Sequence, residues 1–410
     1  MALLRPGYKL LDLLWPFSIH GIFSSALSSL ISSHSFRGIV NSFGVFQSYY
    51  SADLLSHVSD SKISWIGSIH GFMLCLTGFL TGPLFDLGYA YPMIYIGSFL
   101  VVFGMFMTSL CTQYWQFILA QGICIGVGSG CLFIPSVGII PTYFTTKKAL
   151  ATGNAASGSS IAGIIYPIAF SRLQPLIGFP WATRVIAFIM LFTLSISITT
   201  FRVRVLPSER RRLYDPKALM DVPFVLFNMT AFLVSMGLYI TYFYIATYSS
   251  SKTSMSSSLA FYTIPILGAG SAVGRILPNF YADKAGSLNM LTICTSIATV
   301  LAFCWLAIAN IPGIIVFCVL YGFFSGTFVS LQPISVVTLS PSLGVFGTRM
   351  GMNVLSCGLG TLVGTPVAGV IVRKGDWVGL VLFCACALAL GSLLVVAAKL
   401  MKNRGLMARV

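Results

Sequence analysis

About twelve apolar runs, most near 20 residues long, follow one another along this 410-residue chain. A helix of that length crosses the hydrocarbon core of a bilayer. In lipid, only helices and closed barrels satisfy every backbone N–H and C=O. Runs this long, without period-two alternation, are helices rather than barrel strands. Charge agrees: 8% of residues are Asp, Glu, Lys or Arg, against about 25% in a typical soluble domain. The sequence therefore predicts an all-α polytopic membrane protein. The expected spans are 19–47, 63–85, 91–110, 114–140, 149–171, 181–203, 222–248, 257–281, 288–309, 312–338, 350–371 and 377–399.

The formal net charge of +15 would suit a nucleic-acid binder, but its distribution excludes that partner. Lys and Arg collect at alternate helix ends, as the positive-inside rule requires. With both termini in the cytosol, sixteen basic residues fall inside and six outside, leaving Arg37 and Arg275 within spans. The densest basic stretch, Arg202 to Lys217, separates spans six and seven. It predicts three regions: a six-helix half over 1–205, a basic cytoplasmic linker over 206–219, and a second six-helix half over 220–410. Residues 1–37 are the atypical part. Behind Arg5 and Lys9, residues 10–33 read as an irregular first helix with a surface lead-in, or as a cleaved leader. The helix is preferred, because a leader would leave a short span carrying His34 and Arg37.

The halves echo each other. Gly82-Pro-Leu-Phe-Asp86-Leu-Gly88 follows span two, and Asn279-Phe-Tyr-Ala-Asp283-Lys-Ala-Gly286 follows span eight. Ser129-Gly130 precedes Pro135 in span four, and Ser325-Gly326 precedes Pro333 in span ten. Small residues allow close helix approach, and Pro bends the helix. Repeated halves of this kind build many secondary transporters, with Asp86, Gly88, Asp283 and Gly286 as candidate gating-loop residues.

Several motifs resemble the major facilitator superfamily, in particular its fungal monocarboxylate-transporter-like branch. They are Asn41-Ser-Phe-Gly-Val-Phe-Gln-Ser-Tyr-Tyr50, Ile63-Ser-Trp-Ile-Gly-Ser68, Ala149-Leu-Ala-Thr-Gly153 with Tyr166-Pro167, and Gly274-Arg275-Ile-Leu-Pro278 through Gly286. The resemblance runs from about residue 38 to the C-terminus. It implies two six-helix halves, alternating access, a small organic anion or other metabolite as partner, and function as a monomer. The chain also departs from the family. Asp12 is followed by Leu13 and Leu14 where a Gly pair is usual, Leu87 replaces a basic residue, and Ser271 stands where an Asp serves proton coupling.

Arg275 is the leading substrate-binding candidate. A mid-helix arginine costs about 2.5–3.5 kcal/mol on insertion scales, so it must line a wet cavity, pair with an anion, or snorkel. The resemblance favours binding of a substrate carboxylate. Asn41 lies where mammalian relatives carry a lysine, and either contacts substrate or bridges helices. Tyr239 and Tyr242 share a helical face and either line the pocket or pack. His70 is a candidate proton-linked group, or a neutral buried imidazole.

No metal or cofactor is expected. Nine of the ten cysteines lie inside apolar spans, without zinc-like spacing. The glycines Gly126, Gly128 and Gly130 lack a P-loop lysine, and no hydrolase or zinc-protease motif appears. An enzyme is not expected. The sequence reading is a secondary carrier of a carboxylate-bearing metabolite, with efflux of a fungal secondary metabolite as its alternative. A non-transporting membrane sensor is a third reading. The plasma membrane is expected rather than the vacuole.

Overall fold

The computed structural model describes residues 19–138, 147–202, 213–341 and 343–402. Among these residues the regular structure is entirely helical. The helices are α1 (Ile19–Tyr49), α2 (Asp60–Asp86), α3 (Ala90–Thr108) and α4 (Tyr114–Gly138). The segment Lys148–Thr200 is one 53-residue element broken at Gly178 (φ 74°, ψ 166°), giving α5 (148–177) and α6 (179–200). Then follow α7 (Val222–Lys252), α8 (Ser257–Ala285), α9 (Ser287–Cys304), α10 (Ile311–Leu339), α11 (Leu343–Arg373) and α12 (Trp377–Lys402). Ten of the described elements, Lys148–Thr200 counted once, are long and apolar enough to cross a membrane. The basic residues Arg204, Arg210, Arg211 and Arg212 lie outside the described residues, as does Asp12.

Local chemistry sets the helix ends. Asn310 Oδ1 accepts from the Gly313 N–H at 2.8 Å and opens α10, while the Ser256 hydroxyl accepts from Leu259 N at 3.4 Å and opens α8. Gln116 Oε1 reaches back to Gln113 N at 3.0 Å at the start of α4. At the far end of α2, Gly88 takes φ 91°, and Tyr89 N reaches Leu84 O at 3.1 Å. Gly286 closes α8 in the same region of backbone space, at φ 94°. Among the described residues, positive φ occurs only at Gly88, Gly178, Gly286 and Gly375. These form two pairs, after α2 and α8 and after α5 and α11, six helices apart in each case.

Packing repeats at the same interval. Along α4, a Cβ on Gly130 would lie 2.7 Å from Leu74 O on α2. Along α10, a Cβ on Gly326 would lie 2.7 Å from Ser271 O on α8. Between the first six helices and the last six, the closest seams are α2 with α11 and α5 with α8, with α1 against α7 beside them. These seams frame the site.

A central cavity closed at both ends

Where α1, α2, α7, α10 and α11 meet, they enclose a cavity of about 50 Å³ lined by Arg37, Asn41, Cys75, Tyr239, Gln332 and Cys357, among others. A buried water needs about 10–15 Å³ on such a scale, whereas a ligand pocket occupies about 300–1,000 Å³. The cavity therefore has room for water and not for a metabolite.

Its polar groups are few and fixed. The Arg37 guanidinium stands 4.7 Å from the centre of the Phe133 ring, a cation–π contact that supports a charge removed from bulk water. Asn41 Nδ2 donates to Ser159 O at 3.3 Å, so this amide both faces the cavity and bridges α1 to α5. Gln332 Nε2 donates to Asn353 Oδ1 at 2.5 Å and to Cys357 Sγ at 2.9 Å. Asn353, fully buried, donates onward to Asn228 Oδ1 at 2.8 Å. This chain of amides holds Gln332 in one orientation at the cavity wall.

On the side that the charge distribution assigns to the exterior, a vestibule of about 250 Å³ is lined by Gln47, Ser51, Asp60 and Tyr244. Ser51 donates to Asp60 at 2.5 Å. Between vestibule and cavity the α2–α11 seam is shut. Ser61 Oγ donates to Pro366 O at 3.1 Å, the Ser68 and Thr365 hydroxyls touch, and Tyr244 OH donates to Thr365 O at 3.2 Å.

The opposite end is shut by the α5–α8 seam. Asp283 accepts from the N–H groups of Ala149 and Leu150, at 3.1 and 3.2 Å. A carboxylate at the first turn of α5 meets the positive end of that helix. Higher in the seam, Arg275 is 2% exposed. Its Nη1 donates to Ala156 O at 2.7 Å and to the Ser159 hydroxyl, and its Nε to Ser271 Oγ at 3.2 Å. Asn279 Nδ2 donates to Arg275 O and to Ser330 Oγ, each at 2.6 Å.

The candidate residues thus separate. Asn41 and Tyr239 line the cavity. Tyr242 is 3% exposed and packs beside Tyr239, ring centres 6.2 Å apart, off the cavity wall. In this closed form Arg275 faces neither lipid nor the cavity and joins α8 to α5. His70 is fully buried on α2, its backbone against Gly126 of α4, and neither ring nitrogen has a hydrogen-bond partner among the described residues. Asp86 ends α2, and its side chain lies outside the described part of the structure. Gly88 and Gly286 form the tight exits described above. Three residues not anticipated from sequence complete the site: Arg37, Gln332 and Cys357. Arg37 carried a usable signal, being one of two basic residues inside predicted spans. Gln332 and Cys357 carried none, because a lone polar residue on an apolar helix does not reveal which neighbour it faces.

A bundle of span-length helices around a closed polar cavity, with paired glycine exits six helices apart, has the build of a membrane carrier. Residues 17–344 match the Major Facilitator Superfamily, and the chain belongs to that family. It is 44% identical, over 84% of its length and 78% of the relative's, to the MFS-type transporter dbaD of Emericella nidulans. It is 38% identical to the Aspyridones efflux protein apdF of Emericella nidulans, over 90% of this chain and 75% of that one. The Agnestins efflux protein AgnL12 of Paecilomyces divaricatus is 37% identical, over 91% and 86% of the two chains. The family match begins at residue 17, twenty-one residues before the resemblance read from motifs, and so takes in all of α1. Two of these three relatives are named efflux proteins, and none of the three is named a monocarboxylate carrier.

Proposed function

We propose that this chain exports a small organic secondary metabolite from the cytosol by alternating access. The two six-helix halves, 1–205 and 220–410 joined by the basic linker over 206–219, rock about the central cavity. The efflux names of the relatives support this direction over uptake of a monocarboxylate. The observation that carries the reading is the cavity between the halves, closed by separate seams at its two ends.

Arg37 supplies the charge there, and Asn41, Tyr239 and Gln332 shape its surroundings. A cation in a low-dielectric enclosure selects an anionic or enolic oxygen on the solute. The aromatic face of Tyr239 suits a planar ring beside that oxygen. Asp283 and Arg275 act at the inner seam, where their bonds to α5 must break for the cytosolic side to open. Energy comes from an ion gradient or from the solute's own gradient, and the plasma membrane is the proposed site of action.

Deleting the gene in its source organism tests the direction. Profiling of cells and medium should show at least one low-molecular-weight metabolite whose inside-to-outside ratio rises about tenfold or more. Unchanged ratios throughout the profile would contradict export.

A further inference from the structure

The central cavity is not the only recess in contact with the amide chain. On the far side of α11, toward the cytosolic half of the bilayer, a groove of about 560 Å³ opens between α7 and α11. Tyr214, Asn228, Phe232, Met352, Ser356 and Leu359 line it. Helix α11 therefore separates two recesses, with Val354 and Cys357 toward the cavity and Met352, Ser356 and Leu359 toward the groove.

A lipid-facing apolar groove alone would hold an acyl chain and mean nothing more. Here its wall is pierced by polar groups. Asn228 lies in the groove and accepts from the fully buried Asn353, which accepts in turn from Gln332 at the cavity. An unbroken row of amides thus crosses the wall. The Asn228 carbonyl is used in that row, while its Nδ2 makes no hydrogen bond among the described residues. A free amide facing hydrocarbon is costly, and the groove offers it a ligand acceptor. The groove also has the volume of a drug-sized ligand site, which the closed cavity lacks.

We propose that this groove is a lateral entry site. An amphiphilic solute with an apolar body and an acceptor head binds there from the cytosolic leaflet, with its head on Asn228. It passes along the Asn228–Asn353–Gln332 row when α7 and α11 part. The inference rests on the carrier reading above, and adds a site and a route to it.

Binding and flux are measured separately so that the two claims can fail independently. The purified full chain in phosphatidylcholine nanodiscs is titrated with a dansyl-labelled undecanoate, reading fluorescence. Saturable binding above that of empty nanodiscs is expected. Ser356→Trp, which fills the groove, should weaken it about tenfold or more. Asn228→Leu, which removes the head contact without adding bulk, should weaken it comparably and is the arm that counts if the tryptophan variant does not fold. A signal equal to empty nanodiscs means that ordinary lipid fills the groove and overturns the proposal. So does binding that is unchanged in the folded variants. Binding that behaves as expected in a chain that moves no metabolite would sustain the groove and refute the carrier reading. Normal flux with groove variants indistinguishable from wild type would do the reverse.

Discussion

Arg37 and Arg275 are both cations within the bundle, but they are held differently. Arg275 has its donors committed to α5 and to Ser271, whereas Arg37 lies at the cavity wall over Phe133. Replacing Arg275 by Met leaves the Ala156 carbonyl without this donor, a loss of about 1–3 kcal/mol for a buried group. The expected result is a lower melting temperature in detergent, with flux reduced through weakened closure. Arg37→Ala should instead abolish flux when compared at equal folded protein. His70 makes the opposite prediction. Its two buried ring nitrogens lack partners among the described residues, so His70→Leu should leave stability equal or higher and flux intact. Loss of a pH dependence of flux in that variant would instead establish His70 as the proton-linked group. Sequence placed both arginines within predicted spans but weighed the cost of burying charge only for Arg275. It could not say which faced the cavity, since that depends on the rotation of α1 and α8 against their neighbours. The resemblance drew attention to Arg275 because it supplied a role there and none at Arg37.

At the scale of elements, the inner seam depends on glycine and on one carboxylate. A Cβ on Gly153 would collide with Arg275 O and lie 2.9 Å from Asn279 Cγ, so α5 approaches α8 this closely only with glycine there. Gly153→Val should hold the inner side open, read as faster labelling of cysteines placed along the seam. Asp283→Asn removes the charge at the start of α5, which is worth about 0.3–1 kcal/mol, and should shift the same labelling in the same direction by less. The helices themselves were legible in sequence because apolar run length dictates them. Spans expected at 91–110 and 377–399 appear as Ala90–Thr108 and Trp377–Lys402. The paired motifs ending in Gly88 and Gly286 were equally legible, and both glycines adopt positive φ. The partners of Asp283 were not. They lie 134 and 133 residues away in sequence, and only the packed fold brings the start of α5 to that carboxylate. Arg349 is a similar case. It pairs with Asp221 at 2.5 Å and Asp215 at 3.5 Å, and so ties α11 to the chain leading into α7.

For the whole molecule, a cavity of about 50 Å³ shut at both ends requires motion for any transport at all. In the proposed export cycle the α2–α11 seam parts for release to the exterior, and the α5–α8 seam parts as the cytosolic side opens. Ser68 and Thr365 mark the outer seam, where their hydroxyls touch. Cysteines at these two positions should cross-link under copper-catalysed oxidation and stop flux, and a reductant should restore it. Flux that continues in the cross-linked protein would mean that release does not pass through this seam.

The central claim is that solute is carried through the cavity around Arg37. Its most direct test is uptake into inside-out vesicles of the metabolite retained by cells lacking the gene, comparing wild type with Arg37→Ala at equal folded protein. Wild type should take it up saturably, and the variant should lose about a hundredfold or more, equivalent to about 2.8 kcal/mol. Uptake by Arg37→Ala at the wild-type rate would contradict the claim.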